Sequence, residues 1–157
     1  MNLQCQPLPS VLIVGIGNIL LRDEGVGVRV VEEMLALGLP EGVAVVDGGT
    51  SGADLVDIIA DRNKLIVIDA VDVEGRPGAV FRFTAGEWME QGFPSLSLHQ
   101  LGLAETLEMA RLLGCAPRQV VIFGVKPKEV SPGLELSEEV KKSVPKIIEL
   151  ALAEGRA

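Results

Sequence analysis

At 157 residues, 48% of them apolar, the chain is long enough for one domain with a real core and no need of disulfide or metal staples. A net charge of −8 without a basic stripe disfavours nucleic acid and anionic membranes as partners. No apolar run approaches the roughly 18 residues of a membrane span, and residues 1–10 lack the parts of a secretory signal, so a soluble cytoplasmic protein is expected. Cys5 and Cys115 show no pairing pattern and are read as reduced and structural.

Residues 11–15 (VLIVG) form a short β-branched run ending in glycine, which predicts a buried central strand. From Glu24 to Leu37 the apolar positions Val26, Val30, Val31, Met34 and Leu35 recur at helical spacing. A second strand is expected over residues 43–46, ending at Asp47-Gly48-Gly49. Ser51 and Asp54 then suggest the cap of a helix running to Asp61. Residues 65–68 (LIVI) make a third strand ending at Asp69. This alternation predicts parallel pairing of the three strands.

The connection VDVEGRPG is too short for a crossover helix, so the strand over residues 79–83 is expected to be antiparallel. Thr84 and Glu87 have capping-box spacing before a short helix over Trp88 and Met89, and Ser97 and Gln100 have it before a helix to about Leu113. Residues 120–125 give the last strand. A capped helix from Ser137 closes the chain, with Pro145 expected to kink or break it. The fold class that follows is α/β, a three-layer sandwich. Its sheet is mixed, mostly parallel and five-stranded, with one antiparallel strand and helices on both faces, and it forms one domain over residues 1–157.

Ligands of such sheets bind beyond the carboxyl ends of the parallel strands. Asp69 and Asp47 fall there, together with Asn18, Asp23 and Glu24 of the loop after strand one. Asp47 and Asp23 alone are as readily helix caps or solvated loop acids. Asp69 follows an entirely apolar strand, so it should be partly buried and needs a partner. His99 is the only histidine, and a place in the first turn of a helix favours its neutral, metal-binding form. Glu24, Asp69 and His99 together offer two oxygens and a nitrogen, a set suited to zinc, nickel or iron. Gly15-Ile16-Gly17 invites a dinucleotide-binding reading. However, Leu20 stands where its third glycine belongs, and Asp47 comes too late for the ribose acid. A Ser-His-Asp triad has no serine marked out for it.

Four ordered segments carry a more specific signal: VLIVGIGNILLRDEGVGVRVVEEM, VDGGTSG, LIVIDAV and SLHQLGL. Nearly end to end, the chain resembles the maturation proteases of nickel-iron hydrogenases. The resemblance implies that Glu24, Asp69 and His99 are the metal-contacting positions. It also implies that the nickel is supplied by the hydrogenase large-subunit precursor, and that an endopeptidase cut then releases a C-terminal peptide. Either the metal polarises the scissile carbonyl and lowers the pKa of a water, or a carboxylate such as Asp47 acts as general base. Asn18, Gly48, Gly49 and Thr50 are expected to shape the cleft. The stretch from Trp88 to Leu98, with Met89, Phe93 and Leu96, is expected to contact substrate. The competing functions are a nickel carrier or sensor using the same ligands, and a nucleotide-dependent enzyme on the glycine turn. The resting protein is expected to be a monomer with no metal in the site.

Overall fold

The computed structural model describes residues 9–49, 55–90 and 98–157, the side chains of residues 98–101 excepted. The strands are β1 (Val11–Ile16), β2 (Val43–Gly49), β3 (Lys64–Ala70), β4 (Val80–Thr84) and β5 (Gln119–Val125), in the order β2-β1-β3-β5-β4. The first three and β5 run parallel, whereas β4 pairs antiparallel with β5. This is the mixed sheet expected from the short connection after Asp69. Both β1 and β3 are buried throughout, which is why they read as unbroken apolar runs.

Strand alternation sorts the core into two layers. On one face Ile13, Ile66, Ile68 and Phe123 pack against α1 (Val26–Leu37) and α5 (Glu138–Arg156), through Val30, Met34, Val144 and Ile147. On the other, Leu12, Val14, Val67 and Ile122 meet α2 (Leu55–Ile59), α3 (Ala85–Glu90) and α4 (Leu98–Leu112). Fully burying one such side chain stabilises the fold by about 1.5–3 kcal/mol. Trp88 lies in this second layer at 3% exposed. It is therefore a packing residue rather than part of a contact loop, while Met89 beside it is exposed.

Several boundaries differ from the sequence expectation. The helix expected from Glu24 begins at Val26, after a separate 3-10 turn, Arg22–Gly25. β2 continues through Asp47 to Gly49, and Asp69 is the penultimate residue of β3 rather than the residue after it. The Thr84–Glu87 capping box forms reciprocally: Glu87 N–H donates to Thr84 Oγ1 (3.2 Å) and Thr84 N–H to Glu87 Oε2 (3.1 Å). Ser51, Asp54 and Ser97 lie outside the described residues. Pro145 does not break α5, which runs unbroken past it. Burial of Val140 and Val144 before the proline and of Ile147, Ile148 and Ala151 after it holds both halves to the sheet despite the lost backbone bond. Cys115 is a free, half-buried thiol packed against the second layer, in keeping with a structural role.

One partly buried ionic knot ties α5 to the sheet. Lys64 Nζ donates to the Glu154 carbonyl (2.8 Å) and to its Oε1 (3.0 Å), and Arg82 donates to both carboxylate oxygens at 3.0 and 2.8 Å. The Arg82 hydrogen bonds, opposed by burial and helped by Lys64, bring the Glu154 carboxyl from 4.5 down to about 2. A depressed folded pKa contributes stability that is present above 4.5 and is lost as the pH falls toward 2. Glu154→Gln should therefore cost up to about 3 kcal/mol at pH 7. The gap between the urea-unfolding free energies of the two proteins should close between pH 4.5 and about 2.

Candidate active site

The strand order makes the β1/β3 boundary a switch point: the connection from β1 leads outward to β2, and the one from β2 returns across β1 to β3. The crevice at the carboxyl ends of such a pair is where these folds bind ligands. Here glycines set its shape. A methyl on Gly15 would overlap the Gly27 carbonyl, and one on Gly27 would overlap the carbonyls of Ile68 and Ile16. Gly17, at φ +137°, lies against the carbonyl of Glu24. The 3-10 turn and the first turn of α1 thus rest backbone on backbone over the ends of β1 and β3. Glycines of this kind serve close approach as well as phosphate binding. Gly15 and Gly17 therefore have a use here that has nothing to do with a dinucleotide.

Glu24 is half-buried in that turn. Asp69, 3% exposed, pairs in register with Gly124 of β5. By alternation with Leu65 and Val67, Asp69 faces the layer of α2 and α4. Position 99 is the second residue of α4, one helical turn before the buried Leu103 on that same side of the sheet. The His99 side chain itself is outside the described residues. Among the described residues no three His, Cys, Asp or Glu side chains are gathered for a metal. Glu24 thus lies in the turn over the ends of β1 and β3, and Asp69 at the end of β3, with the start of α4 on the Asp69 side.

Asp47 sits elsewhere. It pairs with Gly15 and shares the face of Val43 and Val45, which pack on the α1 side. Its carboxylate is exposed, and its Oδ1 accepts the Gly49 N–H at 2.8 Å. Asp47 lines an open cavity of about 310 Å³ with Gly17, Asn18, Ile19, Leu20 and Gly49. Asn18 Oδ1 accepts the Leu20 N–H (2.9 Å), which sets the loop at the cavity's rim. Gly48 is buried under β1, and Thr50, Phe93 and Leu96 lie outside the described residues.

The residue whose importance the sequence hid is Asp23. It is wholly buried and accepts hydrogen bonds from the backbone of Lys128, Glu129 and Ser137 and from the Ser137 hydroxyl. Burial pushes its carboxyl up, but these four donors outweigh burial and hold it below the usual range. Its partners are more than a hundred residues away in the chain, so no local pattern marks them. Because Ser137 serves Asp23, it makes no side-chain cap on α5.

These features define an α/β protein with acids on the turn after β1 and at the end of β3. The family model for hydrogenase maturation proteases matches residues 28–154. The Escherichia coli hydrogenase 2 maturation protease is 37% identical over 145 residues, 91% of this chain and 88% of that protein. A hydrogenase expression/formation protein, HupD, of Thiocapsa roseopersicina is 39% identical over 92% of this chain, which spans 66% of that relative's length. Among solved structures, the hydrogenase maturating endopeptidase HybD from E. coli superposes with a TM-score of 0.85 at 37% identity, covering 93% of this chain and 91% of that one. The chain belongs to the hydrogenase maturation protease family, and so to the peptidases.

The close backbone packing makes a direct prediction. Gly27→Ala should cost about 3 kcal/mol by overpacking. Gly86→Ala, in the first turn of α3 with nothing within 4 Å of the new methyl, should be neutral or stabilising by up to about 1 kcal/mol. Urea denaturation of both variants against the parent protein provides the comparison.

Proposed function

We propose that this peptidase removes a C-terminal peptide from the precursor of a nickel-iron hydrogenase large subunit, and that it reads the nickel already inserted there through Glu24, Asp69 and His99. The observation that carries the reading is the convergence on the β1/β3 crevice of the Glu24 turn and the buried Asp69, with the helix of His99 beginning on the same face as Asp69. The donor set fits the task. Two carboxylates and one imidazole suit a borderline divalent ion and leave coordination positions for the substrate's own ligands. The names of the relatives supply the substrate class: an E. coli hydrogenase 2 maturation protease and a [NiFe] hydrogenase maturation protease from Thermococcus kodakarensis.

Nickel is substrate in this scheme. Asp69 is held by a strand buried throughout and Glu24 by the glycine-packed turn, so their separation is set before the precursor arrives. A nickel-free precursor offers them nothing to bridge. Once bridged, the metal is placed to polarise the scissile carbonyl or acidify a water. Asp47 approaches from the other side of the β1 loop, on the 310 Å³ cavity, where an extended peptide lying across the strand ends would pass. There its exposed carboxylate takes the proton of the attacking water as general base. We place the reaction in the cytoplasm, between one copy of the protease and one precursor, in keeping with the acidic composition and the unpaired Cys115.

A nickel carrier or sensor on the same three side chains is the competing reading. It would bind nickel tightly alone and cut nothing. The test mixes the purified protein with nickel-loaded and nickel-free precursor and follows the precursor's mass. Loss of a C-terminal peptide from the nickel-loaded form only is expected. Cleavage of neither form would overturn the function, and equal cleavage of both would overturn the nickel test. Glu24→Gln, Asp69→Asn and His99→Ala should each slow cleavage by at least about a hundredfold, the scale of a lost charge-stabilising contact, with circular dichroism unchanged.

A further inference from the structure

The segment between β5 and α5 wraps the turn that bears Glu24. Gly133 N–H donates to the Leu20 carbonyl (2.9 Å), Arg22 N–H to the Gly133 carbonyl (3.1 Å) and Asp23 N–H to the Glu129 carbonyl (3.0 Å), with Leu21 and Gly133 joined as a parallel bridge. Side chains close the wrap. Arg22 pairs with the Glu129 carboxylate and donates from Nε to the Glu135 carbonyl at 3.1 Å. From inside, Asp23 Oδ2 accepts Lys128 N–H (2.9 Å), Glu129 N–H (2.9 Å) and the Ser137 hydroxyl (2.7 Å), while Oδ1 accepts Ser137 N–H (2.7 Å).

Two further facts give this wrap a purpose. Arg22 has φ +50°, a left-handed conformation that a residue with a side chain keeps only where its surroundings enforce it. The 3-10 turn is four residues long, and its preceding residue, Leu21, provides no side-chain cap, so it has little means of holding its own shape. Asp23 is wholly buried and its acceptor sites, about four in a carboxylate, are taken, so it has no chemistry to offer a substrate. What it can do is fix its chain neighbour.

We propose that Asp23 is a positioning residue for Glu24, acting with the strap of residues 128–137, an inference that rests on the reading of Glu24 as a nickel contact. The strap enforces the Arg22 conformation and anchors Asp23, and the rigid turn then presents Glu24 to the crevice at a set distance from Asp69. Loosening the strap should leave precursor docking intact and spoil the geometry of the step that follows.

The test measures cleavage of nickel-loaded precursor by Asp23→Asn and by Gly133→Val, with rates expressed per folded molecule at a temperature below each variant's unfolding. Asp23→Asn puts an amide where three donors converge on Oδ2. Gly133→Val pushes the strap from Arg22, whose Cγ stands 2.9 Å from the new Cβ, and leaves the buried carboxylate untouched. The expected result is a kcat at least about tenfold lower for Asp23→Asn and several-fold lower for Gly133→Val, with KM within about twofold, the signature of misplacement rather than lost binding. Unchanged kcat per folded molecule in both variants, with lowered stability alone, overturns the inference and leaves the proposed function standing. Should Asp23→Asn fail to fold, Gly133→Val decides by the same criterion. A wild-type protein that does not cut the nickel-loaded precursor removes the functional reading, and this inference with it.

Discussion

The site depends on the contact of backbone with backbone where the chain leaves β1 and enters α1. Gly15 and Gly27 let the first turn of the helix settle onto the strand, and Gly17 lets the loop fold under the carbonyl of Glu24. Any side chain at these positions would need the turn to move outward by the width of a methyl group or more. The turn would then no longer overlie the ends of both β1 and β3, the arrangement on which the proposed site rests. Packing and site geometry are in this respect one constraint.

The other half of the site follows from the sheet. Parallel pairing of β1, β3 and β5 buries Asp69 at the end of an apolar strand, and alternation turns it toward α4. The same alternation sends Asp47 to the opposite side. The two carboxylates, both at carboxyl ends of strands, are thereby given different environments: Asp69 shielded from water and Asp47 exposed to it. A shielded group suits steady coordination and an exposed one suits proton exchange, which is the division of labour proposed.

Much of the architecture is legible in the residues because its signals are local. The runs VLIVG and LIVI announce buried strands, the short VDVEGRPG forces an antiparallel return, and the Thr84–Glu87 pair writes its own cap. What was hidden depends on distant parts of the chain. Asp23 looks like any loop acid until Lys128, Glu129 and Ser137 are brought to it, and Ser137 looks like an ordinary helix cap for the same reason. Pro145 carries a local signal for a break that the apolar face of α5 overrides. The three proposed site residues are individually ambiguous; the ordered motifs they stand in single them out, and membership of the family gives those motifs their weight.

On this proposal Glu24, Asp69 and His99 reach the nickel of the precursor. X-ray absorption at the nickel edge, recorded on the loaded precursor alone and in complex with this protein, tests it most directly. New oxygen and nitrogen scatterers are expected at the metal in the complex, with the imidazole contribution absent when His99→Ala protein is used. A nickel spectrum unchanged by binding would contradict it.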